Sequence, residues 1–204
     1  MADLLAHLSP AEPVPAGHYG RPDETGVTVR RHDGMALATL IARRGAGDQL
    51  LAAAAAEGWA LTDAPRLSPG PGLDGVGIAP GRWLVSAERT APEDLIARLA
   101  ALAGPAGTVC DQSAGLMILD IGGAQAAEAL AKGVGIDLHP RAFPPGAAAS
   151  TSVAQVALTF WRMQGEDAPC YRFAVPRSFA PAFTRWLAVS AAAFGVRFCD
   201  SIRG

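Results

Sequence analysis

The amino-acid sequence predicts an α+β fold built from two copies of a β-β-α-β-β-α unit with antiparallel sheets. Residues 82–90 align with residues 170–178, because each segment runs from a strand to an Arg, then to a hydroxyl residue and into a helix. Residues 37–51 align in the same way with residues 116–130. These matches indicate an internal duplication of roughly 80–90 residues per copy. Helices packed on antiparallel sheets then form the body.

The first copy follows an N-terminal arm. Residues 11–24 are rich in Pro and Gly, which predicts an extended arm over residues 1–24 that adds nothing to the core. A helix follows the first two strands, with Asp48 as its N-cap and Gly58 as its end. In chain order we predict strands at 27–31 and 37–42, a helix at 48–57, a loop at 65–80, a strand at 82–87 and a second helix that ends near Gly104.

The second helix has the clearest start signal in the chain. Thr90 precedes Pro92 and Glu93, which together match the Ser/Thr-x-x-Glu capping box with a proline in the first turn. We therefore predict that Thr90 is the N-cap of this helix.

The second copy repeats the order of the first. We predict strands at 108–111 and 116–121, a helix at 124–131 ended by Gly133, a strand or hairpin at 152–163, a strand at 170–175 and a helix at 178–194. The last helix carries Phe and Trp residues mostly three, four or seven positions apart, so one of its faces is apolar. Ser178 is its predicted N-cap. The two halves, 25–105 and 106–204, are expected to form one body.

Composition excludes several classes of protein. The 204 residues are 50% hydrophobic and 18% charged, which is a globular composition, and the net charge of −2 gives no basic surplus for nucleic acid. No apolar stretch approaches the roughly 20 residues that span a bilayer, and the N-terminus lacks the basic region of a signal peptide. Three separated cysteines, Cys110, Cys170 and Cys199, favour neither disulfides nor a zinc site. We expect a cytoplasmic protein.

Two motifs have simpler explanations than a functional site. Residues 70–75 match G-x-G-x-x-G, but no predicted strand precedes them and no helix follows, and Pro71 lacks an amide donor. A loop is the better interpretation than a dinucleotide site. His139 could be oriented by Asp137 as a catalytic base, but a local turn in Asp137-Leu-His139-Pro140 is the preferred explanation.

An ordered set of segments resembles the gamma subunit family of heterotetrameric sarcosine oxidase. The resemblance runs from about residue 110 to residue 194, and residues 82–85 add a short match in the first half. The segments are Asp111-Gln-Ser113, 116–123 (LMILDIGG), 129–133 (ALAKG), 137–143 (DLHPRAF), 171–179 (YRFAVPRSF) and 185–187 (RWL).

This resemblance implies a fold like the folate-binding domain of glycine-cleavage aminomethyltransferases. It also implies membership of a four-subunit flavoenzyme that oxidatively demethylates sarcosine to glycine and passes the one-carbon unit to tetrahydrofolate. The alpha, beta and delta subunits would hold FAD, FMN, NAD, tetrahydrofolate and zinc. This chain would bind none of them and would serve as a structural subunit, with no nucleic acid or membrane partner.

Three alternatives stay open: a stand-alone folate-binding protein (aminomethyltransferase-like or an iron–sulfur assembly factor), a gamma-like subunit of an N-methylglutamate dehydrogenase, and an unrelated binding module of the same fold. The aminomethyltransferases carry an acid that engages the amines of folate, whereas residues 153–163 here contain no Asp or Glu. Val134 also stands where related chains often have Cys. Both features favour the subunit.

We predict no catalytic, cofactor-binding or metal-ligating residue. The candidate interface or loop contacts are Asp111, Ser113, His139, Arg141, Arg177 and Ser178. Arg177 could reach an acidic partner surface or a substrate carboxylate, or lie solvated beside a helix start. The arm should be held by another chain or lie along its own body, and with residues 65–80 and 137–145 it should add to a permanent interface above ~2,000 Å².

Overall fold

The computed structural model describes residues 4–164 and 168–203, with side chains in the last strand as far as Ser201. The strands are β1 Gly17–Tyr19, β2 Val27–Asp33, β3 Ala36–Ala42, β4 Leu67–Gly70, β5 Leu73–Ala79, β6 Arg82–Ala87, β7 Gly107–Asp111, β8 Leu116–Gly122, β9 Ala148–Val153, β10 Val156–Arg162, β11 Cys170–Pro176 and β12 Val196–Arg203. The helices are α1 Gly47–Ala56, α2 Pro92–Ala103, α3 Ala126–Leu130 and α4 Ala180–Ala191.

The strands form two sheets. The seven-stranded sheet has the order β1-β12-β2-β8-β11-β10-β9, and the five-stranded sheet has the order β4-β5-β6-β3-β7. Every neighbouring pair is antiparallel except β12 and β2, which run parallel. The α+β class with largely antiparallel sheets is therefore confirmed.

The two repeats exchange their first strands. β2 begins the first repeat but pairs with β8 of the second, and β7 begins the second repeat but pairs with β3 of the first. With this exchange, the order β9-β10-β11-β8-β2 in one sheet corresponds to β4-β5-β6-β3-β7 in the other. Each sheet therefore contains strands from both repeats. The division of the chain into halves at residues 105 and 106 stays a prediction.

Three hydrophobic clusters hold the layers together. One lies between the seven-stranded sheet and helices α3 and α4, and a second lies between the five-stranded sheet and helices α1 and α2. The third lies between the two sheets and includes Leu37, Leu84 and Trp161. Because side chains alternate along a strand, Tyr171 and Phe173 of β11 belong to the helix-side cluster, and Ala174 belongs to the cluster between the sheets.

The loop predicted at residues 65–80 is instead the hairpin of β4 and β5. Its glycines leave room for neighbours: a Cβ at Gly70 would lie 2.4 Å from Cδ1 of Trp59, and one at Gly77 would lie 1.9 Å from the carbonyl oxygen of Ala64. The indole of Trp59 also donates to the carbonyl of Ser68. Glycine in these positions removes the alternation of apolar and polar side chains that marks a strand.

The predicted N-caps are wrong in all three helices. Helix α2 begins at Pro92, so Ala91 occupies the cap position and the hydroxyl of Thr90 donates to the carbonyl of Glu88 instead. Helix α1 begins at Gly47, which puts Asp48 inside its first turn. Ser178 lies in a 3₁₀ turn, and α4 begins two residues later at Ala180. None of these helices has a side-chain cap within the described ranges.

The N-terminal segment packs on its own body, contrary to the expectation that it adds nothing to the core. Leu5 and Val14 are buried, and β1 pairs with β12 at the edge of the larger sheet. Helix α4 fastens this segment: the Thr184 hydroxyl accepts the N–H of Val14, and the Arg185 guanidinium donates to the carbonyls of Leu5 and Leu8. Both β1 and β12 were missed from the sequence.

Candidate functional site

A cluster of charged side chains is enclosed between three strands of the larger sheet. Arg172 of β11 donates two hydrogen bonds to Asp120 of β8, from Nε to Oδ1 at 2.7 Å and from Nη2 to Oδ2 at 2.8 Å. His32 of β2 places its Nε2 2.6 Å from the same Oδ2. The side chains of Arg172 and His32 are each only 8% exposed. Charged groups buried this deeply need such pairing.

The electrostatics of the cluster favour the ionised pair. Burial opposes ionisation of Asp120, but the hydrogen bonds and charges of Arg172 and His32 outweigh it and lower the pKa of this carboxyl to about 2. Burial also opposes the charged form of Arg172 and by itself would lower the pKa of this guanidinium. The hydrogen bonds to Asp120 more than compensate, so the pKa of Arg172 is raised above its ordinary value. Glu88, which follows β6 of the smaller sheet, forms a further ion pair with Arg172, with 3.7 Å between its Oε1 and Nη1 of the guanidinium.

The geometry of this cluster suits a structural role better than a catalytic one. A general base works best with a pKa near the working pH, whereas the pKa of Asp120 is lowered to about 2 and its two oxygens are held by Arg172 and His32. The three residues tie together β2, β8 and β11, which include strands from both repeats. The cluster therefore joins the two copies across the exchanged strand β2.

Three of the residues singled out from the sequence meet at the turn between β7 and β8. Asp111 accepts the N–H of Ser113 at 2.8 Å, and this backbone bond lowers the pKa of Asp111. Ser113 bonds through its hydroxyl to both the N–H and the carbonyl of Leu37. Arg177 donates to the carbonyls of Ala114 and Leu116, each at 2.9 Å. These side chains brace a turn, and Arg177 is exposed beside it.

The other three predicted contacts lie apart from this turn. Asp137 accepts the backbone N–H of His139, and His139 accepts the N–H of Arg141 through Nδ1, which makes a local turn. His139 and Arg141 are exposed. Within the described residues, no hydrogen bond links either of them to Asp111 or Arg177. Ser178 is exposed in its 3₁₀ turn. The roles of all six residues as interface contacts stay predictions.

Sequence reasoning missed the charge cluster, although the sequence carries a signal for it. Asp120 is the one charged residue in the run Leu116–Gly122, and Arg172 is the one charged residue in Cys170–Pro176. A lone acid and a lone base inside two apolar strands are expected to pair if the strands are neighbours. Nothing in the sequence indicated that β2 would bring His32 to the same place.

An open cleft of about 530 Å³ lies between the two sheets. Most of the side chains that line the cleft are apolar or carry a hydroxyl group. Among the described residues that line it, Arg82 is the one with a charge. Among residues 4–164 and 168–203, no group of three or more His, Cys, Asp or Glu side chains is placed to hold a metal ion. No described helix has both the length and the apolar character needed to cross a bilayer.

The fold is of the same structural class as that of a glycine-cleavage aminomethyltransferase. The glycine-cleavage aminomethyltransferase T from Bartonella henselae superposes with a TM-score of 0.63. The match covers 86% of this chain and 48% of that one, at 17% sequence identity. At this identity the likeness concerns the fold alone.

Within that class the chain belongs to the sarcosine oxidase gamma subunit family. The model of this family matches residues 67–193. A chain of the heterotetrameric sarcosine oxidase from Corynebacterium sp. U-96, solved with pyrrole 2-carboxylate, superposes with a TM-score of 0.73 and 28% identity. That match covers 95% of this chain and 96% of the other. The family resemblance predicted from the sequence is confirmed.

Two curated relatives carry the same family name. The sarcosine oxidase subunit gamma of Arthrobacter sp. is 38% identical over 44% of this chain and 42% of its own length. That of Corynebacterium sp. (strain U-96) is 34% identical over 54% of this chain and 52% of its own. The aligned part therefore spans about half the length of these relatives or less.

Proposed function

We propose that this chain is the non-catalytic gamma subunit of a heterotetrameric flavoenzyme of the sarcosine oxidase type. The observation that carries the proposal is the superposition on one chain of a heterotetrameric sarcosine oxidase over nearly the full length of both chains. A chain that superposes so extensively on one subunit is expected to occupy the same place in its complex. The complex would oxidatively demethylate sarcosine to glycine and transfer the one-carbon unit to tetrahydrofolate.

The site chemistry supports an accessory role. Both oxygens of the Asp120 carboxylate are engaged by Arg172 and His32, and the strands at residues 153–163 carry no acid to hold an amine. In this proposal the alpha, beta and delta subunits hold FAD, FMN, NAD, tetrahydrofolate and zinc, and this chain binds none of them. Three cysteines far apart in the sequence, with no Cys-x-x-Cys pair, fit assembly in a reducing cytoplasm.

The test is co-expression of an affinity-tagged form of this chain with the other three subunits. We expect all of them to co-purify in fixed proportion with flavin absorbance, and the isolated chain to lack that absorbance. Sarcosine and N-methylglutamate are then compared as substrates, which separates an oxidase from an N-methylglutamate dehydrogenase. A monodisperse chain that captures no partner, or that alone binds tetrahydrofolate in calorimetry, would favour the stand-alone folate-binding alternative.

A further inference from the structure

Strand β9 is an edge strand that is protected only at its two ends. Edge strands are normally short, charged, interrupted by proline or covered, because exposed backbone groups can pair with another chain. The other three edges follow this rule: β1 has three residues, β4 contains Pro69, and β7 ends in Asp111 and packs beside α2. β9 has six residues, Ala148–Val153, with neither a charge nor a proline.

The backbone of β9 is covered at both ends and open in its middle. In an antiparallel strand the N–H groups point alternately to the two sides. The N–H groups of Ala148 and Ala154 point away from β10, since they donate to the carbonyls of Pro65 and Gly133. Ser150 and Ser152 lie at the same alternation between them. Their outward N–H groups have no backbone partner among the described residues.

The open part of β9 borders the cleft between the sheets. Ser150 and Thr151 line this cleft together with Ala157 and Thr159 of the neighbouring strand, and Ile78 and Leu84 line it from the smaller sheet. Arg82 is exposed at the same cleft, and its guanidinium makes no hydrogen bond or ion pair within the described part of the chain. The cleft thus offers apolar contact and one unpaired positive charge.

We propose that β9 and this cleft dock a short extended segment of a partner subunit, which pairs with the backbone of Ser150 and Ser152 and places a carboxylate against Arg82. This inference rests on the proposed function, because it assumes a partner subunit. Strand addition of this kind takes affinity from main-chain hydrogen bonds and specificity from alternate side chains. Here one apolar side chain enters the cleft and an acidic one meets Arg82.

The covered ends of β9 limit the length of the occupant. Ala148 and Ala154 are six residues apart, which is roughly 20 Å in an extended strand. A partner segment of about five residues fills this window, and a longer strand collides with the chain at Pro65 and Gly133. The same limit disfavours pairing of the β9 edges of two copies of this chain, because the segments that cover the ends of β9 in each copy would collide.

Ser152→Pro tests the main-chain part of the proposal in the co-expressed complex. The substitution removes the outward N–H but leaves the ladder with β10 intact, because proline is tolerated where an edge N–H faces outward. We expect the tagged subunit to bind its partners about tenfold more weakly, with an unchanged melting temperature of the isolated chain. Ser152→Val is the matched control, since it keeps the N–H and should assemble like the natural chain.

Arg82→Gln tests the charge, with Arg44→Gln as a control at an exposed arginine on the connection between β3 and α1. We expect about tenfold weaker assembly for the first and no weakening for the second. Hydrogen exchange should show the amides of Ser150 and Ser152 protected in the complex and exchanging freely in the isolated chain.

The outcomes separate the two proposals. If the complex forms but both variants assemble normally and the two amides still exchange, the docking inference is overturned and the subunit assignment stands. If the natural chain captures no partner, the subunit assignment itself fails. A concentration-dependent dimer of the isolated chain that Ser152→Pro abolishes would replace the partner subunit by a second copy.

Discussion

Asp120 and Arg172 stand directly opposite each other in the register of β8 and β11, and their side chains form a two-pronged ion pair between the sheets. Each charge is buried, so each depends on the other for solvation. His32 adds a third strand to this pair. His32 comes from the first repeat and the pair from the second, so the three side chains together hold strands of both repeats in place.

Removing one member of the pair is expected to be much worse than removing both. Arg172→Met leaves the buried Asp120 carboxylate unpaired, and we expect the free energy of unfolding to fall by about 3–5 kcal/mol. The double variant Asp120→Leu with Arg172→Met replaces the pair by apolar contact and should recover most of this loss. Chemical denaturation of the isolated chain measures both. Equal losses for the single and double variants would show that the pair itself stabilises the fold.

The pair also predicts a loss of stability in acid. The pKa of Asp120 is lowered in the folded chain to about 2 from an ordinary value of 3.8, so the unfolded chain binds the proton more readily. This carboxylate therefore contributes about 2 kcal/mol above pH 4, and the contribution disappears as the pH falls from about 4 to 2. Denaturation curves across this range check it, and Asp120→Asn should flatten the pH dependence.

Gly77 is expected to be the least replaceable glycine of the hairpin. A Cβ there would lie 1.9 Å from the carbonyl oxygen of Ala64, so Gly77→Ala must displace backbone, and we expect a loss of roughly 2–4 kcal/mol. Gly47→Ala is the control, because a Cβ at this first residue of α1 would meet no atom within 4 Å. Thermal unfolding distinguishes them, and a neutral Gly77→Ala would contradict the crowding argument.

Arg185 is expected to control how firmly the N-terminal segment is attached. Arg185→Gln loses the paired bonds to the carbonyls of Leu5 and Leu8, and we expect cleavage within residues 4–10 by a nonspecific protease to accelerate roughly tenfold. Arg197→Gln, at an exposed position of β12, is the control. Limited proteolysis followed by mass spectrometry identifies the cut. An unchanged rate would mean that the other contacts of the segment, such as burial of Leu5 and the bond from Val14 to Thr184, secure it without Arg185.

The sequence predicts the repeated architecture well because strands and helices with apolar faces leave a strong periodic signal. It fails where the signal depends on distant residues. The hairpin of β4 and β5 was not recognised because Gly70 and Gly77 interrupt its strand pattern. Trp59 and Ala64 occupy the space beside these glycines, and the local sequence pattern does not reveal these contacts. The cluster of Asp120 and Arg172 was missed for a similar reason, since its members become neighbours only through strand pairing.

The exchange of β2 and β7 also constrains the order in which the chain can fold as it leaves the ribosome. β2 must wait for β8 to be synthesised, and its other neighbour, β12, is the last strand of the described chain. Long-range pairing of this kind forms slowly and leaves edges exposed meanwhile. The smaller sheet can close once β7 emerges, whereas the larger one stays incomplete until β12 follows. A nascent chain therefore presents a half-built sheet to chaperones throughout the interval between the synthesis of β7 and that of β12.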